Sequence, residues 1–386
     1  MKYLVYLNNY NIRQAKAQYL WLLYEILSHN LDAFYILTEE YLEKRTVKDS
    51  WEVRQAVQKY GSFEKLISRL RIEDCLVMDT PDKWISNSEI TIPSQILYNT
   101  VYGYHEEEVH AIVTAIRKRN IRAGVTWVNN KTFKETMEKF NLPVIHHELG
   151  PLRPSTYIPT VYLDFSGVNG DTEFDKRFEE FLKIADKVPI LSRKELLRIV
   201  APEHYIELYR ILENKGREYE IGVGLQVEVD TNLLLFNKGC SWIDPVLAAK
   251  ADSSGKVFVR PHPLAGYIMK PDVRLVIDDL KGNALGFINR CNKIYCLNSS
   301  VGFEALLLGR EAKVFGDSPF RNMCSMDEDT QLKALNFAIF GYLIHRDLLF
   351  NDSYYDFRLK NRGDEKAIYI DNMKRLLSMQ LSKIKF

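Results

Sequence analysis

Two stretches decide the fold: Lys-Val-Phe-Val-Arg-Pro-His-Pro (256–263), and Lys-Ile-Tyr-Cys-Leu-Asn-Ser-Ser-Val-Gly-Phe-Glu-Ala-Leu-Leu-Leu-Gly (293–309), the latter followed by Ala-Lys-Val-Phe-Gly (312–316). Val257, Phe258 and Val259 form an apolar run of strand type, and Pro261 and Pro263 forbid its continuation. Ile294 to Leu297 is a second apolar run of strand length. Ser299 and Ser300 stand where a helix N-cap belongs, and Gly309 stands where a helix should stop. The order is strand, loop, strand, helix, strand.

Working outward, the chain upstream alternates the same two patterns. Strands are expected at Tyr3–Leu7, Ala33–Leu37, Cys75–Met78 and Ala123–Val128. Helices are expected at Gln14–Leu27, Trp51–Leu70 with a break at Gly61, Glu106–Arg119 and Thr132–Phe140. A short apolar run, Pro143 to Ile145, ends this part. Residues 151–220 read as a connector carrying helices at Glu173–Ile184, Arg193–Val200 and His204–Lys215. A second α/β unit begins at Ile221. Alternation at this spacing implies parallel strands and right-handed crossovers, hence doubly wound α/β domains. A length of 386 residues implies two of them.

Composition excludes several classes. The net charge is +1, so no bulk field favours nucleic acid. The five cysteines are scattered, with no Cys-x-x-Cys pair, which argues against a disulfide framework or a zinc site. Cys296 lies inside an expected core strand and reads as packing. No apolar run reaches the length of a membrane span, and the N-terminus reads as a strand rather than a signal peptide. The expected setting is reducing and cytoplasmic.

Four groups of residues carry candidate chemistry. Ser299 and Ser300 are either an ordinary cap or, with the free N–H groups of a helix start, an anion site. His262 would leave the end of a neighbouring strand, on the edge where open α/β sheets bind ligands. Together they read as a phosphate clamp. Glu148, in His-His-Glu-Leu-Gly-Pro-Leu-Arg-Pro (146–154), is either a catalytic loop acid or a solvated acid paired with Arg153. Neighbouring His146 and His147 lack further ligands at metal spacing. In Gln-Val-Glu-Val-Asp (226–230), Glu228 and Asp230 share one face of an extended segment, with Asp230 where the strand should end. Gly222 and Gly224 before it do not match a dinucleotide fingerprint.

These pieces resemble the bacterial retaining β-Kdo transferases of capsule and O-antigen polysaccharide assembly. The matching residues are Gln226-Val-Glu-x-Asp230, Arg260-Pro-His262-Pro263 and Ser299-Ser300-Val-Gly-Phe-Glu304, over roughly 221–318, with a weaker match at Glu148-x-Gly150. At that last place Pro151 stands where the family usually has an aromatic residue. The resemblance implies a GT-B-like fold of two Rossmann-like domains facing a cleft. It implies an acceptor-side domain with connector over 1–215, a CMP-sugar domain over 216–367, and a C-terminal helix over 368–386 that crosses back to the first. It also implies CMP-Kdo as donor, a glycan acceptor that is lipid-linked, no metal or other cofactor, and no nucleic acid.

On that reading His262 and the Ser299-Ser300 helix start hold the CMP phosphate, joined by Gln226. Glu304 accepts from ribose hydroxyls or is a solvated first-turn acid. Arg153, Arg260 and Lys238 are candidates for holding the Kdo carboxylate, and the sequence does not choose among them. Asp230 is the nucleophile of a double displacement and Glu148 the base, with Glu228 as fallback. The alternatives are an inverting CMP-sialic acid transferase and a non-catalytic nucleotide- or glycan-binding module. The basic amphipathic tail fits either a crossover helix or a peripheral contact with the inner face of the membrane or an assembly complex.

Overall fold

The structure is a computed structural model that describes residues 2–7, 19–29, 31–42, 57–59, 61–78, 98, 100–127, 129–214, 216–227, 231–263, 272–280 and 283–381. Its contacts divide the chain into two units. One is Met1–Glu148 with Leu163–Asp171 and Asp347–Lys360; the other is Leu149–Tyr162 with Thr172–Arg346 and Asn361–Phe386.

The first unit contains β1 (Lys2–Tyr6), β2 (Ala33–Thr38), β3 (Cys75–Met78), β4 (Ile121–Trp127) and β5 (Val144–Leu149, its last residue past the boundary). They run in the order β3-β2-β1-β4-β5, all parallel. β1 and β2 are apolar along their length because helices cover both faces of an interior parallel strand. Leu4, Tyr6, Phe34 and Ile36 meet Ile112 of the helix Glu106–Lys118 and Phe133 and Met137 of the helix Lys131–Lys139. Asn130 caps the latter by accepting from the Phe133 N–H at 2.6 Å.

The second unit repeats the plan. Its strands are β7 (Tyr219–Gly224), β8 (Val257–Arg260), β9 (Leu275–Ile277), β10 (Cys291–Cys296) and β11 (Glu311–Val314), in the order β9-β8-β7-β10-β11, all parallel. In each unit the first strand lies centrally, the next two stack on one side, and the last two return to the other. That is the doubly wound Rossmann order, so both halves are Rossmann-like α/β units.

Gly222 and Gly224 serve close packing. A Cβ at Gly222 would stand 2.5 Å from the Cys291 sulfur, and one at Gly224 would stand 2.9 Å from Val301 Cγ1. The helix Ser300–Leu307 therefore lies flush on β7. Cys296 is fully buried and its thiol is pushed up to about 12 by that burial, as expected for packing.

Two elements were not legible. β6 (Thr160–Asp164) and β12 (Leu343–His345) pair antiparallel, Leu343 opposite Tyr162. β6 is a short apolar run directly after Pro159, inside what reads as connector. The expected segments within 14–18, 51–56 and 382–386 lie outside the described residues.

The helix Glu365–Leu381 buries Ile368, Tyr369, Asn372, Met373 and Leu376. It packs on the helices Phe174–Leu182 and Arg193–Val200 and on the π-helical turn Phe337–Tyr342, all in the second unit. Leu377 of this helix is exposed. Among the described residues no helix is long and apolar enough to cross a membrane.

Candidate active site

The order of the second sheet creates a switch point. After β7 the chain goes to one side; β10 starts the other. The loops leaving these adjacent strands diverge, and their mouths form the crevice where such sheets take ligands. Leu225-Gln226-Val227 leaves β7, and Leu297-Asn298-Ser299 leaves β10.

Gln226 and Asn298 tie these loops together. Gln226 Nε2 donates to Asn298 Oδ1 at 2.8 Å, and the Asn298 backbone N–H donates to Gln226 Oε1 at 3.0 Å. Asn298 Nδ2 donates onward to the carbonyl of Asn232 at 3.1 Å. Asn232 belongs to the helix Thr231–Phe236. The chain on both sides of 228–230 is thereby anchored to one buried asparagine. Sequence reading nominated Gln226 as a substrate contact and missed Asn298; its place directly before Ser299-Ser300 at a strand end was the available signal.

Asp230 and Glu228 lie outside the described residues. Before them β7 ends at Gly224, and after them a helix starts at Thr231. The glycine pair allows close helix packing at this end of β7, and the polar tether of Gln226 replaces ladder pairing beyond it.

Ser299 is the N-cap of the helix Ser300–Leu307 and accepts from the Val301 N–H at 3.4 Å. Gly309 follows the helix at φ +68°, a left-handed stop suited to glycine. The positive end of this helix dipole opens at the switch point. Ser300 is half-buried there.

Glu304 is the fifth helical residue, not part of the first turn, so its reading as a solvated first-turn acid is corrected. Burial pushes its carboxyl up to about 7; the Arg153 guanidinium and then the Tyr157 hydroxyl oppose the shift. Arg153 in turn donates through Nε to the Gly150 carbonyl at 3.2 Å. The segment 151–157 and the helix Ser300–Leu307 are thus brought together within the second unit. Tyr157 was not anticipated, since an isolated tyrosine in a Pro-rich stretch gives no signal.

A carboxyl near half-protonation at neutral pH can donate or accept toward a hydroxyl-rich ligand. The raised value also sets a stability slope. Below the ordinary carboxylate value of 4.5 the group costs nothing, and as pH rises through about 7 the folded state must hold an unfavourable charge. Glu304→Gln is expected to be more stable than the parent above pH 7, by up to ~3 kcal/mol, and equal to it at acid pH. Denaturant titrations across that pH range measure the difference; parallel curves at every pH would contradict it.

β8 ends at Arg260, and Pro261 and Pro263 flank His262, which is half-buried beyond the strand end. Arg260 forms an ion pair with Asp278, just past β9, and both side chains are largely buried. Lys238 pairs with Asp317 at 3.2 Å on the surface. Of the three basic candidates, Arg260 and Lys238 therefore have carboxylate partners of their own, while Arg153 stands beside Glu304.

In the first unit, Glu148 is the penultimate residue of β5. The strand extends beyond the apolar run 143–145: Thr126 and Trp127 of β4 pair with His146 and His147. His147 is fully buried, with Nε2 2.7 Å from the Tyr355 hydroxyl. Two consecutive polar histidines, both buried, made the strand look shorter than it is. Glu148 sits at the C-terminal edge of its parallel sheet, half-buried. Among the described residues no group of three or more His, Cys, Asp or Glu side chains is placed to hold a metal ion.

Comparisons with known proteins cover complementary parts of the chain. Residues 5–173 match the glycosyltransferase 99 family N-terminal domain, and residues 204–336 match the capsule polysaccharide biosynthesis protein family. The two matches, one to a glycosyltransferase domain and one to a capsule polysaccharide biosynthesis family, follow each other along the chain. No curated protein sequence matches the chain significantly.

Among solved structures it is similar to the β-Kdo 2,7-transferase of Thermosulfurimonas dismutans KpsC. That match has 16% identity, covers 67% of this chain and 90% of that one, and gives a TM-score of 0.41. The β-Kdo 2,4-transferase of the same KpsC is 16% identical, with coverage of 59% and 82% and a TM-score of 0.38. A UDP-GlcNAc 2-epimerase of Methanocaldococcus jannaschii is 13% identical, with coverage of 87% and 92% and a TM-score of 0.29.

Proposed function

We propose that the protein transfers Kdo from CMP-Kdo to a glycan acceptor with retention of the β configuration. The observation that carries this is the switch point of the second unit. There the loop leading to Asp230 is tied by Gln226 to Asn298, next to the Ser299-Ser300 helix start. In the proposed first step an Asp230 carboxylate oxygen attacks the anomeric carbon. The bond from that carbon to the phosphate oxygen breaks, and CMP leaves with the electron pair. In the second step the acceptor hydroxyl attacks the same carbon, gives its proton to Glu148, and frees the Asp230 carboxylate.

His262 and the helix start meet the charge that develops on the leaving phosphate. Glu304 faces the ribose, and Arg153 is the basic group favoured for the Kdo carboxylate. The reading includes no divalent metal, so chelation by EDTA should leave activity unchanged. The acceptor is proposed to be lipid-linked and presented at the inner face of the cytoplasmic membrane.

CMP release from CMP-Kdo in the presence of acceptor, with the product anomer read by NMR, tests the whole scheme. An α-linked product would defeat retention. His262→Ala is expected to weaken CMP binding at least tenfold, ~1.4 kcal/mol, and to slow transfer while the fold is kept. Unchanged CMP affinity and turnover in that variant would remove His262 from the clamp.

A further inference from the structure

The second unit has another cavity, at the opposite edge of its sheet from the switch point. It encloses about 690 Å³ and is lined by Arg217, just before β7, by Asn292 and Lys293 at the start of β10, and by Arg310 and Glu311 at the start of β11. A strand's length, ~17 Å, separates this edge from the loops that carry Gln226 and Asn298.

The charges in its wall are unevenly satisfied. Glu311 pairs with Lys293 at 2.7 Å. Asp252 accepts from Tyr295 at 2.6 Å and from Lys313 at 3.0 Å. Glu220, the remaining acid, accepts from the Ser253 hydroxyl at 2.9 Å and the Ser254 N–H at 3.2 Å. Among the described residues neither arginine has a carboxylate partner. Arg310 is 3% exposed; it donates to the carbonyls of Ile211 at 2.6 Å and Leu308 at 3.3 Å, and its Nε meets no acceptor. Arg217 Nε is likewise buried without an acceptor. Burial and the neighbouring Arg217 guanidinium both push Arg310 down, to about 10. Two like charges held together, partly desolvated and without a counter-ion, are unfavourable unless an anion joins them.

We propose that this cavity binds an oxyanion, a carboxylate or phosphate of a glycan ligand, through Arg217 and Arg310. A guanidinium pair matches the planar, bidentate geometry of such groups. The volume suits a sugar-sized ligand, and the polar wall of Asn292, Tyr295 and Lys293 suits its hydroxyls. The assignment of a glycan rests on the transferase reading; the anion site itself does not.

Arg217 has no partner to lose in the protein, so Arg217→Gln should fold normally. Binding of inorganic phosphate and of free Kdo is measured by calorimetry on the full chain, on Arg217→Gln and on His262→Ala. The site predicts a saturable isotherm for at least one probe that survives in His262→Ala and weakens at least tenfold in Arg217→Gln. Arg217→Lys should recover part of it, and CMP affinity should be unchanged in Arg217→Gln. Kdo alone binding identifies a carboxylate ligand, and phosphate binding identifies a phosphate one. No saturable binding of either probe, or binding that Arg217→Gln leaves intact, overturns the proposal. Loss of the signal in His262→Ala alone also overturns it, while leaving the donor reading in place.

Discussion

Asp230→Ala is expected to lower transfer by about a thousandfold or more, with the loss in the chemical step rather than in donor binding. The parent protein, incubated with CMP-Kdo and no acceptor, should gain the mass of one Kdo residue, and peptide mapping should place it on Asp230. Gln226 and Asn232 are both hydrogen-bonded to Asn298, which directly precedes the Ser299 cap. Asp230 lies in sequence between two described segments, 225–227 and the helix from Thr231, that are both tied to the switch point. Retention most simply takes two displacements, and the first takes an enzyme nucleophile. CMP affinity should be nearly unchanged in Asp230→Ala, because the phosphate is assigned to other groups. Near-normal turnover, or an adduct on another carboxylate such as Glu228, would take Asp230 out of this role.

The largest effect on stability is expected at Glu365. Arg177 donates to both Glu365 oxygens at 2.8 Å, Nε to one and an Nη to the other, and the same Nη donates to the Gly341 carbonyl at 2.7 Å. Both side chains are more than nine-tenths buried. Removing one partner strands the other charge inside the protein, at a cost of ~3–5 kcal/mol. Glu365→Ala should therefore unfold at much lower denaturant concentration. Replacing Arg177 and Glu365 together, by Met and Leu, should restore much of the difference. A Glu365→Ala variant within about 1 kcal/mol of the parent would show that the pair carries little. The pair fixes the start of the helix Glu365–Leu381 to the helix Phe174–Leu182. Around it Phe174, Phe181, Phe337 and Tyr369 pack ring to ring at 5.0–5.2 Å.

Much of this architecture was legible in the sequence because parallel sheets write it plainly. Interior strands such as Tyr3–Tyr6 and Val257–Val259 are apolar on both faces, and prolines, caps and Gly309 mark their ends. What stayed hidden depends on long-range pairing. β6 lies between β5 and β12, and its β12 partner comes some 180 residues later. His146 and His147 are strand residues because β4 and Tyr355 supply their partners.

The site divides in the same way. The serine cap and the Pro-His-Pro turn are local chemistry and could be found by inspection. Tyr157 acts through residues distant in sequence and could not, while Asn298 had only its place before the serine pair to mark it. The carboxylate partners of Arg260 and Lys238, Asp278 and Asp317, could not be foreseen, since ion pairs between residues distant in sequence leave no spacing rule.

The first unit also has a temporal property. Its sheet is laid down early, yet it holds Asp347–Lys360 as an integral part. Tyr355 packs on Tyr3 at 5.4 Å and meets His147, and Arg122 forms ion pairs with Asp352 and Asp356. A ribosome releases those residues only after the entire second sheet has emerged. During synthesis the N-terminal sheet therefore waits, with Tyr3, Arg122 and His147 uncovered, until residues 347–360 follow the second sheet. Nascent chains stalled before residue 347 would be the ones a chaperone finds with their oldest part unfinished.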